Sequence, residues 1–154
     1  MFSTHAVKGA LLRNQLQWRP SKCVIKRGKL VASRDWQDLR VSSRLVANIV
    51  AKHYADNLPI HARGKLIDLG CGKVPLYSSY NGYVSEVICV DWENTLHKNN
   101  LLDFECDLSN NLPIPNGEFD TAVLSDVLEH IPNPDHLIKE ISRRFQGFLP
   151  QKAS

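Results

Sequence analysis

The chain has 154 residues, 43% of them hydrophobic, and a formal net charge of +3. That length makes one domain, able to bury about two-thirds of its unfolded surface. No apolar run approaches the roughly 18 residues needed to span a bilayer, and Cys23, Cys71, Cys89 and Cys106 form no CxxC pair. A membrane span, a disulfide frame and a zinc site are therefore set aside, and the expectation is a soluble, cytoplasmic protein with reduced core thiols and no membrane partner.

Residues 1–34 carry eight Lys or Arg and no acid, whereas the remainder has 11 basic against 16 acidic residues. This basic N-terminal extension reads as a solvated segment, an anion-contacting arm, or a transit segment with Val7, Leu11, Leu12 and Leu16 near one helical face. A domain spanning residues 35–154 follows. Val41, Leu45, Val46, Ile49, Val50 and Tyr54 keep the i, i+4, i+5 spacing of an amphipathic helix, which leads into a loop around Pro59. An apolar strand over 65–69 then runs into Gly70 and Gly72, with Asp68 beside them. Glycines there let backbone amides approach a ligand closely.

A second strand, 86–91, ends in Asp91, 21 positions after Gly70, where a ribose acceptor is expected, and Trp92 follows with a face for an adenine ring. The bland alternative is an ordinary turn in which Asp68 and Asp91 merely solvate strand ends. A dinucleotide loop needs a third glycine, but Lys73-Val74-Pro75 stands there, which argues against NAD and FAD. Strands over 103–107 and 119–125 come next, and Asn133 caps a helix opened by Pro134, with Leu137, Ile138 and Ile141 on its buried face. The alternation predicts an α/β fold, a parallel sheet covered on both sides, with the ligand outside the carboxyl ends of its strands.

Leu66 to Gly72, Asp91-Trp92, Asp107-Leu108 and Ser125 to Pro134, in that order and spacing, resemble a class I S-adenosylmethionine (SAM)-dependent methyltransferase of the small-molecule branch, over about residues 35–144. The resemblance implies a Rossmann-like three-layer αβα sandwich and SAM as cofactor. Asp68, Gly70 and Gly72 would hold the methionine part, Asp91 the ribose, Trp92 the adenine face and Asp107 the adenine amino group. Leu108 would pack on the ring or serve the core, and Ser125 would lie near the sulfonium. His130 is the candidate catalytic base, with a purely structural role as the alternative. Asp126, Glu129 and His130 could instead form a metal cluster, although adjacent helical residues diverge by about 100°; no metal is expected.

Ser125-Asp126-Val127-Leu128 replaces the Asn-Pro-Pro-Tyr type motif of amino-group methylases, so a small-molecule acceptor is expected, a glycan- or lipid-linked one being an alternative and nucleic acid a lesser one. After Arg144 the familiar fifth-strand pattern is missing, leaving about four of the family's seven strands. A truncated or frame-changed chain, inactive SAM binding, and self-association through the open sheet edge all follow as expectations.

Overall fold

The computed structural model describes residues 22–36, 39–72, 76–80, 82–92 and 102–145. The expectations for residues 1–21, for Lys73 to Pro75 and for the segment after Phe145 lie outside these. Within the basic stretch, β1 (Cys23–Lys26) and β2 (Lys29–Ala32) form an antiparallel hairpin. Arg27 and Gly28, with φ of 51° and 74°, have the paired positive angles of a type I′ turn. Cys23 and Ala32 are buried, so this part of the expected solvated extension is folded onto the domain.

A 3₁₀ turn over Val41–Ser43 leads into α1 (Arg44–His61). The buried residues of α1 are Ala51 and Leu58, whereas Val41, Leu45, Val46 and Ile49 are 54–73% exposed. The hairpin and the sheet contact the side of the helix that carries Asn48, Ala51 and Leu58, which adjoins the apolar stripe without covering it. The helix also continues through Pro59, where the sequence predicts a loop. Proline's fixed φ suits a helix, and its missing N–H sacrifices one bond near the end, while buried Leu58 and Ala62 hold the last turn in place.

Four parallel strands make the main sheet: β3 (Lys65–Leu69), β4 (Glu86–Asp91), β5 (Phe104–Glu105) and β6 (Thr121–Leu124), in the order β5-β4-β3-β6. β3 and β4 read as near-continuous apolar runs because both faces are covered. Leu66, Val87, Cys89 and Val123 pack with α1, the hairpin and the short α2 (Tyr77–Tyr80). Ile67, Leu69, Ile88, Val90 and Phe119 pack with Leu137 and Ile141 of α3 (Pro134–Ser142). This is a Rossmann-like α/β sandwich, incomplete at four strands among the described residues.

Two strands are shorter than predicted because side chains replace ladder groups. The Asp103 carboxylate accepts from Cys89 N–H at 2.7 Å, and the Asp120 carboxylate accepts from Lys65 N–H at 2.9 Å. Asn133 Oδ1 caps α3 by accepting from His136 N–H at 3.1 Å, as its sequence predicts, but Ile138 faces outward. Buried Glu140 and Arg144 pair at 2.9 Å; Glu140 also accepts from Leu112 N–H at 3.2 Å, while Arg144 donates to Leu112 O at 2.6 Å and to Asn116. Beside β6, Phe119 forms a parallel bridge with Phe145.

Candidate active site

The strand order reverses between β3 and β6, and the crevice beyond such a switch point is where open α/β sheets bind ligands. A cavity of about 470 Å³ lies there, lined by Gly70 after β3, Asp91 and Trp92 after β4, Asp107 to Ser109 after β5, and Asp126, Val127 and His130 to Pro132 after β6. Its volume falls within the roughly 300–1,000 Å³ range of ligand pockets. Of the residues singled out in the sequence, Gly70, Asp91, Trp92, Asp107, Leu108 and His130 share this cavity.

The loop after β3 is anchored from below. Gly70 N–H and Cys71 N–H both donate to Val90 O, at 2.8 and 3.1 Å. Gly70 has φ 73°, and a Cβ there would come within 2.6 Å of Val127 Cγ2. Gly72 has φ 68°, and no atom of the described residues lies within 4 Å of where its Cβ would be, so its requirement is conformational. Gly72 does not line the cavity.

Asp68 is placed differently from the expectation of direct ligand contact. It is 2% exposed, outside the cavity lining, and its Oδ2 accepts a 2.6 Å hydrogen bond from Tyr80 O–H. Burial pushes its carboxyl up to about 7, with nearby Asp91 adding to the rise, while the Tyr80 bond and Lys22 oppose it. Asp68 thus braces the loop from within. Beside it the Cys71 thiol is hydrogen-bonded with Cys89, and that bond together with burial pushes it well above the ordinary thiol range.

Of the three carboxylates that line the cavity, Asp91, Asp107 and Asp126, the first two are oriented by groups next to them in the chain. Asp91 Oδ1 accepts from Trp92 N–H at 2.7 Å, and Asp107 accepts from Ser109 N–H at 2.8 Å and Asn110 Nδ2 at 3.0 Å. Each carboxylate retains lone pairs for a ligand's hydroxyl or amino groups. Leu108 is buried and belongs to the core while also lining the cavity, so its two readings coincide. Trp92 is half exposed on the rim.

Ser125 does not line the cavity; it is hydrogen-bonded with the hydroxyl of Tyr54. Burial raises the Tyr54 phenol above its ordinary range. The next residue, Asp126, has φ 55°, an αL conformation costly for a non-glycine residue and frequent at functional turns. His130 sits on a 3₁₀ turn over Leu128–His130, its N–H donating to Val127 O at 2.9 Å. Among the described residues no three His, Cys, Asp or Glu side chains are grouped to hold a metal ion.

Sequence reasoning missed Tyr80, a partner of Asp68, and treated Tyr54 as core. Both lie on helices, and no local motif marks them; only the packing of α1 and α2 beside the β3 loop brings their hydroxyls to the site.

A Rossmann sheet with a two-glycine loop, two carboxylates beyond successive strands and an aromatic rim is suited to an adenosine ligand. A family model described as a methyltransferase domain matches residues 67–146, more than half of the chain. No curated protein and no solved structure matches it. The match begins within β3 and runs past Arg144, taking in the glycine loop and every residue lining the cavity. On this ground the chain belongs to the methyltransferase domain family, of the class I SAM-dependent kind.

Proposed function

We propose that the protein binds SAM in the cavity at the switch point and transfers its methyl group to a small-molecule acceptor. The observation that carries this reading is the convergence of Gly70, Asp91, Trp92, Asp107, Leu108 and His130 on one cavity inside the matched domain. The fit is chemical as well as spatial. Asp91 accepts from ribose hydroxyls, Asp107 from the adenine amino group, and Trp92 and Leu108 supply apolar faces. Gly70 and Gly72 keep the loop free of side chains on the methionine side, and Asp68 with Tyr80 holds its shape.

The cofactor, when bound, supplies an electrophilic methyl group on a sulfonium sulfur. The chain's contribution is alignment, because an in-line displacement gains most from orientation. Ser125, bonded with Tyr54, directly precedes Asp126 of the cavity wall. His130, on the cavity wall, takes the proton that a hydroxyl acceptor loses, a contribution of roughly 10²–10⁴-fold in rate. The edge of β6 beyond the Phe119–Phe145 bridge, unpaired among the described residues, pairs with a second copy.

Titration with S-adenosylhomocysteine by calorimetry, together with the mass in solution, tests the reading. One molecule bound per chain is expected, and absence of binding would sink it. A His130→Gln variant should bind S-adenosylhomocysteine within about twofold of the parent while losing about 100-fold or more in kcat. Equal turnover would remove His130 from the chemistry. Binding without turnover on any hydroxyl, amine or carbon acceptor would leave a cofactor-binding domain and no enzyme.

A further inference from the structure

The apolar stripe that the sequence spacing traces along α1 is exposed, and Arg44 and Asn48 beside it form one wall of a strongly basic groove. Val41 of the 3₁₀ turn and Leu45 and Ile49 of α1 follow one another along one face, joined by Val46. Trp36, on the connection from β2 to α1, is 75% exposed. Next to this stripe a groove of about 920 Å³ runs between the hairpin and the start of α1, and Lys26, Arg27, Lys29, Arg34 and Arg44 line it with no acidic residue. Two bonds fix its walls together: Ala32 N–H donates to Asn48 Oδ1 at 2.9 Å, and Arg44 Nη2 donates to Arg34 O at 2.7 Å.

The charge arrangement works against the fold on its own. Lys26 and Lys29 are directly opposite cross-strand partners, a like-charge pairing that destabilises a hairpin. Arg27 occupies an αL position of the turn that asparagine or glycine would take with less strain. Arg44 Nε is shielded from water and has no hydrogen-bond partner among the described residues. No salt bridge links any of the five cations to an acid among those residues. Asp56, the acid on the exposed side of α1, is engaged with Lys52 at 2.6 Å.

The geometry points to a peripheral membrane-docking face, in which the basic groove takes the phosphates of anionic phospholipids while Trp36, Val41, Leu45 and Ile49 enter the headgroup–acyl boundary. An apolar stripe flanked by cations, with a tryptophan at its margin, is the surface that lies in a bilayer interface. A nucleic acid would use the cations but gives no role to three aliphatic residues in a row. A protein groove would use the aliphatic residues but not five uncompensated cations. No helix among the described residues is long and apolar enough to cross a membrane, so the contact is peripheral. It uses none of the cavity residues, so the proposal stands or falls separately from methyl transfer.

The test is co-sedimentation of the full chain with phosphatidylcholine vesicles containing 30% phosphatidylglycerol, beside pure phosphatidylcholine vesicles, with the tryptophan emission recorded. Expected are binding to the anionic vesicles, a blue shift, and weakening with salt. Lys26→Gln and Lys29→Gln should each weaken binding about fivefold, and both relieve the cross-strand repulsion, so the hairpin remains folded. Leu45→Glu should abolish binding while S-adenosylhomocysteine affinity is retained. The proposal is overturned by no binding, by equal binding to both vesicle types, or by insensitivity to Leu45→Glu. It is also overturned if Leu45→Cys is protected from labelling in vesicle-free solution, because a second copy or residues 1–21 would then cover the stripe.

Discussion

Asp68 sits where burial and function pull against each other. Its carboxyl is pushed from an ordinary value of 3.8 to about 7 mainly by burial, against the opposing bond from Tyr80. Between about pH 4 and pH 7 the folded protein therefore binds more protons at this site than the unfolded chain. Its contribution is fully present below about pH 4 and is lost as pH rises towards 7, at up to about 1.4 kcal/mol per unit. Urea unfolding at pH 5 and pH 7 should show the parent losing more stability over that interval than Asp68→Asn, whose amide does not titrate. Parallel losses would place the proton elsewhere. The sequence marked Asp68 as important through its neighbours Gly70 and Gly72 but assigned it to the ligand. Its burial depends on Tyr80, twelve residues on and folded over from α2, and no spacing rule reports that distance.

At the scale of elements, the Glu140–Arg144 pair fastens α3 to the chain that passes Leu112 and Asn116. Both side chains are almost fully buried, and Glu140 also pairs with the more exposed Arg143 at 2.9 Å, so removing Glu140 strands Arg144 as an uncompensated buried charge. Glu140→Ala should cost about 3–5 kcal/mol, read as a lower urea midpoint with an unchanged slope. A loss below about 1 kcal/mol would mean that water reaches Arg144. β3, β4 and α3 were legible because buried parallel strands and capped amphipathic helices write themselves in local patterns: an unbroken Leu-Ile-Asp-Leu or Val-Ile-Cys-Val, and Asn133-Pro134. The hairpin was not, because Arg27-Gly28 replaces the familiar Asn-Gly turn. The exposed face of α1 was not either: periodicity locates an apolar stripe but not whether anything covers it.

For the molecule as a whole, the sheet order puts the switch point, the matched domain and the cavity at one place. The cavity was legible because each of its walls is the residue run just beyond a strand end. The hairpin and all of α1 precede the matched region and add the phenol of Tyr54 and the basic groove from outside it. Cys71, between the two loop glycines, turns this arrangement into a reporter. Its thiol is 7% exposed and held protonated by Cys89 and burial, so a thiol reagent meets it only when the loop opens. Its labelling rate, resolved by peptide mass from those of Cys23, Cys89 and Cys106, is then a clock for loop opening. If S-adenosylhomocysteine binds the closed loop alone, a concentration 100 times its Kd should slow that clock about 100-fold. The protection factor at one sulfur atom would then give the ligand's affinity with no acceptor identified.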